Sequence, residues 1–292
     1  MHEVRVNTNP IELQVRHDAG KGQALLFLHF SGANLMMWAR AVPYFQDQYR
    51  LVLVDLRGHG KSDRPETGYH VDDMASDIVG VLQQLGLERA HILGSSLGAE
   101  VGLSLAANDP EKVISLVCDG ALSSEFGPYG TWEGSEAEFE AHVAQQLAKL
   151  HAAPETLYPS VEALVAKSRA GLEEIGWWNA DVEVMERYGA CQVGEGAYTT
   201  AFSRKALADY LQGYFKTRFE DYYRKVQCPV LMLPGADVFE NAREKAAMEG
   251  LCALAAQAEI VKVSGWEHPY GWLIHPEAAC QAILEFLGRV PH

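Results

Sequence analysis

Apolar residues gather along this chain in short continuous runs, set apart by stretches of helical periodicity. Ala24 to Phe30, Arg50 to Leu56, Ala90 to Leu93 and Val113 to Cys118 have the length and apolarity of strands buried on both faces of a sheet. Ahead of them, Val4 to Val6 and Ile11 to Val15 predict an opening hairpin, with period-two alternation in Glu12-Leu13-Gln14-Val15. Between the apolar runs lie helical patterns. Ser31-Gly32-Ala33-Asn34 breaks the first run, and Met36 to Phe45 is expected to be helical. Val71, Met74, Ile78, Leu82 and Leu85 recur at helical spacing over about four turns. Ala99 to Ala107 is a small-residue run compatible with a helix. Far downstream, Pro229 to Leu233 and Glu259 to Val263 add two strands, and a last helix runs from Pro276 to Leu287. Such alternation implies a parallel sheet with helices on both faces.

The rhythm changes between Ala121 and Gln227. This stretch of about a hundred residues holds no convincing buried strand, and it is too long for a structureless loop. Glu136 to Leu150 and Lys205 to Phe219 are helical in pattern, and aromatics concentrate here, Trp177, Trp178, Tyr210 and Tyr214 among them. A helical insertion is expected, with most of these rings forming its own small core.

Composition narrows the function classes. The 292 residues suit one large α/β domain with an insertion, and 48% hydrophobic content is ample for its core. A net charge of -15 argues against nucleic-acid binding and leaves no basic patch for anionic lipid. The five cysteines are scattered, without a C-x-x-C pair, as expected of reduced thiols in a cytoplasmic protein. The polar start, Met1 to Pro10, lacks an apolar signal core, and no run approaches transmembrane length. His and Cys residues lack metal-ligand spacing, and no glycine-rich phosphate loop is present, so neither metal nor cofactor is expected. The expected partners are a small apolar substrate and, at most, further copies of the chain.

The candidate chemistry starts at Gly94-Ser95-Ser96-Leu97-Gly98, between the Ala90 to Leu93 strand and the small-residue helix. A strand–turn–helix context makes Gly-x-Ser-x-Gly a nucleophile elbow, and the spacing selects Ser96 rather than Ser95. Serine needs a base to take its proton and a third group to orient that base. Among eleven histidines, His268 lies just beyond a predicted strand in Gly265-Trp266-Glu267-His268-Pro269, where a loop can reach the sheet's C-terminal edge. His275 opens the last helix as His-Pro-Glu, for which N-capping is a sufficient role.

Four segments, Leu26 to Gly32, Asp55-Leu56-Arg57-Gly58-His59-Gly60-Lys61-Ser62, the Ser96 elbow, and His268 ahead of His275-Pro276-Glu277, together resemble the α/β-hydrolase fold superfamily. The resemblance covers nearly the whole chain. It implies an α/β fold with a mostly parallel eight-stranded sheet flanked by helices. Residues 1–120 and 228–292 would form its core, and residues 121–227 a helical cap. The Asp55 to Ser62 match implies an architectural role, with Arg57 and His59 outside the chemistry. Within the family's order, the orienting acid follows a strand between serine and histidine. Asp237 matches the usual position, and Asp119, one strand earlier, is the alternative. The oxyanion hole would use the Leu97 N–H, after the serine, and an N–H from the loop after His29. That loop carries Phe30 where the family commonly has glycine, so Ser31 falls at the donor position and Phe30 is the fallback.

The expected reaction is hydrolysis of a small to medium apolar carboxylic ester through an acyl-serine intermediate. Carbon–carbon bond, lactone and amide hydrolysis are alternatives on the same scaffold, and a small-molecule receptor retaining the triad is the alternative of another class. Phe30, Trp38 and Trp177 are expected to wall an apolar pocket, with acyl preference rising from acetyl to about hexanoyl.

Overall fold

The computed structural model describes residues 1–291. The chain opens with β1 (His2–Asn7) and β2 (Glu12–His17), an antiparallel hairpin with Val4 opposite Val15. Then come β3 (Ala24–Leu28), a 3-10 turn over Leu35–Trp38, the one-turn helix α1 (Val42–Phe45) and β4 (Arg50–Val54). The pattern continues with α2 (Val71–Gln84), β5 (Ala90–Ser95), α3 (Leu97–Asn108) and β6 (Val113–Asp119). The expected helix over Met36 to Phe45 is interrupted. Pro43 has no N–H to donate and its ring clashes with the preceding turn, so the segment splits into the 3-10 turn and α1.

After β6 the chain runs through α4 (Glu136–Ala152), α5 (Val161–Glu174) and α6 (Ala180–Gly189). A hairpin of β7 (Ala190–Gly194) and β8 (Ala197–Thr200) follows, then α7 (Arg204–Tyr214) and α8 (Phe219–Tyr223). The hairpin has no counterpart in the sequence reading, because its residues are mostly exposed or half-buried and carry no apolar run. The helix expected over Lys205 to Phe219 breaks into α7 and α8. The chain closes with β9 (Val230–Met232), α9 (Ala242–Leu254), β10 (Ala258–Ile260), the short α10 (Gly271–Ile274) and α11 (Glu277–Leu287).

Eight strands form one sheet in the order β1-β2-β4-β3-β5-β6-β9-β10, parallel from β4 onward. Period-two geometry sorts each central strand between two cores. Leu26 and Leu28 of β3, with Val52 and Val54 of β4, pack against α2 and α3. Leu25, Phe27, Leu51 and Leu53 pack on the other face with Trp38, Trp272 and α11. α2 buries Val71, Met74, Ile78 and Leu82, the stripe that predicted it. All five cysteines are free thiols. Among the described residues, no helix is long and apolar enough to cross a membrane.

The Asp55 to Ser62 stretch ties the crossing after β4 together. The buried Asp55 carboxylate accepts from the Leu35 and Lys61 amides at 2.7 and 2.9 Å and from the Tyr188 hydroxyl of α6 at 2.9 Å. A side chain on Gly60 would run into that carboxylate. Arg57 forms a bidentate pair with Asp77 of α2, at 2.6 and 2.7 Å. These contacts occupy Arg57 in holding the crossing together.

Candidate active site

The sheet delivers the site at its C-terminal edge. β5 ends at Ser95, and the chain turns into α3 through Ser96, which sits at φ 48°, ψ -118°. That is a strained conformation for a residue with a Cβ, and it persists only when the surroundings enforce it. Here they do. The Ser96 amide donates to the Asp119 carbonyl. A Cβ on Gly94 would strike the Gly98 carbonyl, and one on Gly98 the Leu28 carbonyl, so glycine alone permits this approach of α3 to the sheet. The Ser96 hydroxyl caps no amide of α3. Leu97 is the first residue of that helix, where an N–H has no acceptor within the helix.

His268 stands on the loop between β10 and α10. Its Nδ1 lies 2.7 Å from Asp119 Oδ1, not from Asp237. The structure thus brings the alternative, Asp119, and not the first choice, Asp237, to hydrogen-bond distance of His268, and the physical reason is register. β5 and β6 are neighbours with Ser95 opposite Asp119, so the last residue of β6 arrives level with the elbow. Asp119 is wholly buried and accepts three further hydrogen bonds: Ser95 Oγ at 2.7 Å, Trp272 Nε1 at 2.7 Å and Trp266 Nε1 at 3.1 Å. Asp237, in the 3-10 turn Ala236–Phe239 after β9, is exposed and lacks that surround.

The charges follow from these contacts. Burial alone would raise Asp119, but the His268 charge and hydrogen bond, with the Ser95 and Trp266 donors, hold it below the ordinary carboxylate value. Burial pulls His268 down, but Asp119, with smaller contributions from Asp237 and Glu100, leaves it above the ordinary 6.5. Its side chain keeps 32% of its exposure.

The loop after β3 is pinned from inside. His29 Nε2 accepts from the Leu56 amide at 3.0 Å, which leaves Nδ1 carrying the proton donated to the Phe30 carbonyl at 2.8 Å. Burial depresses His29 to about 4, so it stays neutral. Holding the Phe30 carbonyl also fixes the next amide, because the Ser31 N–H points opposite to it across a trans peptide.

Ser96 and His268 line one cavity of about 230 Å³. Gly120, Ala121 and Leu122 line it after β6, and Gly235, Asp237 and Val238 after β9. Tyr214 and Phe219 come from the segment between those strands. Glu100, one helical turn beyond Ser96, and Glu244 of α9 complete the charged lining. A larger cavity, about 430 Å³, lies between α4 and α7 and holds none of the chemistry-bearing residues.

The three expected pocket aromatics are elsewhere. Trp38 is fully buried in the core, its ring 5.3 Å from Phe27 and 4.9 Å from Trp272. Phe30 and Trp177 both pack on Tyr270, at 5.3 and 4.8 Å, outside the lining of the Ser96 cavity. His275 does not cap α11; its Nε2 donates to the Gly265 carbonyl at 2.8 Å, clamping the loop that carries His268. Sequence reasoning also missed Glu100, Trp266 and Trp272. The two tryptophans flank His268 in Trp266-x-His268-x-x-x-Trp272, and donor-only indoles so placed are a signal for a buried acceptor nearby. Among the described residues, no three His, Cys, Asp or Glu side chains converge as metal ligands.

Comparison with known proteins follows the same lines. A family model for the alpha/beta hydrolase fold matches residues 23–233. The chain is 30% identical over 288 residues to 2-(acetamidomethylene)succinate hydrolase of Mesorhizobium japonicum, covering 97% of this chain and 94% of that protein. It is 40% identical over 138 residues to a 2-hydroxy-6-oxononadienedioate/2-hydroxy-6-oxononatrienedioate hydrolase of Burkholderia vietnamiensis, covering 44% of this chain and 48% of that one. A crystal structure of E-2-(acetamidomethylene)succinate hydrolase superposes with TM-score 0.75 at 27% identity, over 98% of this chain and 99% of its own. With a family match over most of its length and a relative aligned almost end to end, the chain belongs to the α/β-hydrolase fold family.

Proposed function

We propose that this chain is a serine hydrolase that cleaves a small carboxylic ester through an acyl-serine intermediate. The observation that carries the reading is the Asp119–His268 hydrogen bond at the wall of the cavity that holds Ser96. Asp119 keeps the Nδ1 proton on His268, so Nε2 is free to take the Ser96 proton as Oγ attacks the carbonyl. The Leu97 N–H and the Ser31 N–H, with Phe30 as fallback donor, receive the charge that develops on the carbonyl oxygen. His268 then protonates the departing alcohol, and water repeats the sequence to release the acid and restore Ser96. Two relatives named as hydrolases support hydrolysis as the reaction class. Their names denote dicarboxylates, and among the described residues no lysine or arginine lines the present cavity, so those substrates are not carried over.

A fluorophosphonate reagent tests the reading directly. It should add its mass to the peptide containing Ser96 and abolish ester turnover; labelling at Ser95, or turnover unaffected by complete labelling, would overturn it. Such labelling with slow or absent ester turnover would favour the receptor reading.

The pH profile carries a second expectation. His268 works only when neutral, and its pKa lies above 6.5 in the folded protein. kcat/KM should therefore fall as pH drops through that raised value, with an acid limb above the ordinary histidine midpoint. His268→Ala should lose activity at every pH, whereas His275→Ala should act mainly on stability.

Substrate size is the third expectation. The 230 Å³ cavity is below the usual range for drug-sized ligands, and the aromatics expected to extend it lie outside its lining. The optimum should consequently fall below the hexanoyl suggested by sequence, at about four acyl carbons, since each methylene adds about 0.8 kcal/mol only while it can be buried. A p-nitrophenyl ester series from acetate to palmitate measures this, and a maximum at palmitate would rule the cavity out as the acyl site.

A further inference from the structure

We propose that Glu100 makes this site selective for esters bearing a positive charge, so that an ammonium-containing substrate is preferred to its neutral isostere and a carboxylate-containing one is rejected. The inference rests on the serine-hydrolase reading of the same cavity. Glu100 lies four residues after Ser96, and its amide donates to the Ser96 carbonyl, so the two side chains share one face of α3. It is 5% exposed and lines the cavity beside Ser96 and His268. Its two oxygens face the Tyr210 hydroxyl of α7 at 3.0 and 2.9 Å, which fixes the carboxyl in place.

The rest of the lining points the same way. Asp237 and Glu244 are its other acidic members, and His268 is its one basic side chain among the described residues. A carboxylate entering this space would lose its water and face three acidic side chains, Glu100, Asp237 and Glu244, with His268 alone to offset them. An ammonium would find Glu100 beneath it, with Tyr214 and Phe219 in the same wall to offer aromatic faces.

This arrangement also predicts how selectivity varies with pH. Burial raises Glu100 to about 8, so it is mostly neutral at pH 7 in the empty cavity. The groups facing it are Tyr210 and Tyr214 from α7, Glu125 from the segment after β6, and His268. Glu125 pushes Glu100 further up, whereas the Tyr210 hydrogen bond and His268 pull it down. A bound cation favours the ionised carboxyl, so cation binding releases a proton and strengthens as pH rises through about 8.

The test uses the full chain and three butyrate esters of matched size: 2-(trimethylammonio)ethyl, 3,3-dimethylbutyl and 3-carboxypropyl. Their kcat/KM values are followed by pH-stat at pH 7 and pH 9. The cationic ester should exceed its neutral isostere by about tenfold at pH 7, with the ratio growing at pH 9, and the anionic ester should fall about tenfold below the neutral one. Glu100→Gln should bring the cation-to-neutral ratio towards one and remove its pH dependence. Calorimetry adds an arm that needs neither turnover nor a variant: choline should bind the wild-type chain about tenfold more tightly than 3,3-dimethylbutanol, with proton release. Equal rates and equal binding for the cationic and neutral members, or preference for the carboxylate, would overturn the proposal. Failure of the serine-hydrolase reading is seen separately, as turnover that persists in Ser96→Ala.

Discussion

Ser96→Ala should lower ester hydrolysis by roughly three to six orders of magnitude with little change in thermal stability. The magnitude follows from what remains. Without Oγ there is no acyl intermediate, and His268 can at best assist a water in a cavity shaped around the serine. Stability should hold because alanine at φ 48° carries no worse Cβ strain than serine, and the hydroxyl caps no amide of α3. The control is Ser95→Ala. Ser95 is wholly buried, and its hydroxyl donates to Asp119 Oδ2 at 2.7 Å. Its loss removes one of four hydrogen bonds to the orienting acid and should cost about tenfold or less. A variant at position 96 retaining wild-type kcat, measured on protein free of contaminating esterase, would remove the nucleophile from this account.

The second large effect belongs to Asp119. Asp119→Asn should leave a folded protein and reduce kcat by roughly four orders of magnitude, through the wrong imidazole tautomer. In the wild type, Oδ1 accepts from His268 and Trp266, and Oδ2 from Ser95 and Trp272. An asparagine offers a single carbonyl. If that oxygen stays with Trp272 and Ser95, its NH2 faces His268 Nδ1 and drives the proton to Nε2, where the base is needed bare. The Trp266 indole N–H then meets another donor, so a fall in stability of about 1–3 kcal/mol should accompany the loss of rate. Asp237→Asn is the informative companion. Asp237 is exposed and acts on His268 through charge, which contributes to raising it. Its removal should shift the acid limb of the pH profile downward and leave most of kcat intact. A loss of four orders at position 237 with retained activity at 119 would mean that His268 works from the other carboxylate.

What could be read from the chain alone was local. Residues buried on both faces of a parallel sheet must be apolar in succession, so β3, β4, β5 and β6 are visible as runs. The elbow is equally local: Gly94, Ser96 and Gly98 fall within five residues, and any side chain on either glycine would collide with backbone. Even the breaks obey nearby rules, as Pro43 shows at α1. The choice between the two candidate acids is of another kind. Asp119 ends one strand and Asp237 follows another, both precede His268, and the family resemblance favours Asp237. Strand order sets β6 beside β5 with Asp119 level with the elbow, and so brings Asp119 rather than Asp237 against His268. Trp266 and Trp272, about 150 residues downstream, then closed around that carboxylate. Glu100 was hidden for a related reason. In sequence it is one charge in a helix of small residues, and only folding sets it against the Tyr210 hydroxyl of α7, beside Ser96. Secondary structure and the turn at Ser96 arise from contacts a few residues apart, which a sequence displays. Burial, pKa and the choice of partner arise from groups brought together by folding, and those only the tertiary structure could assign.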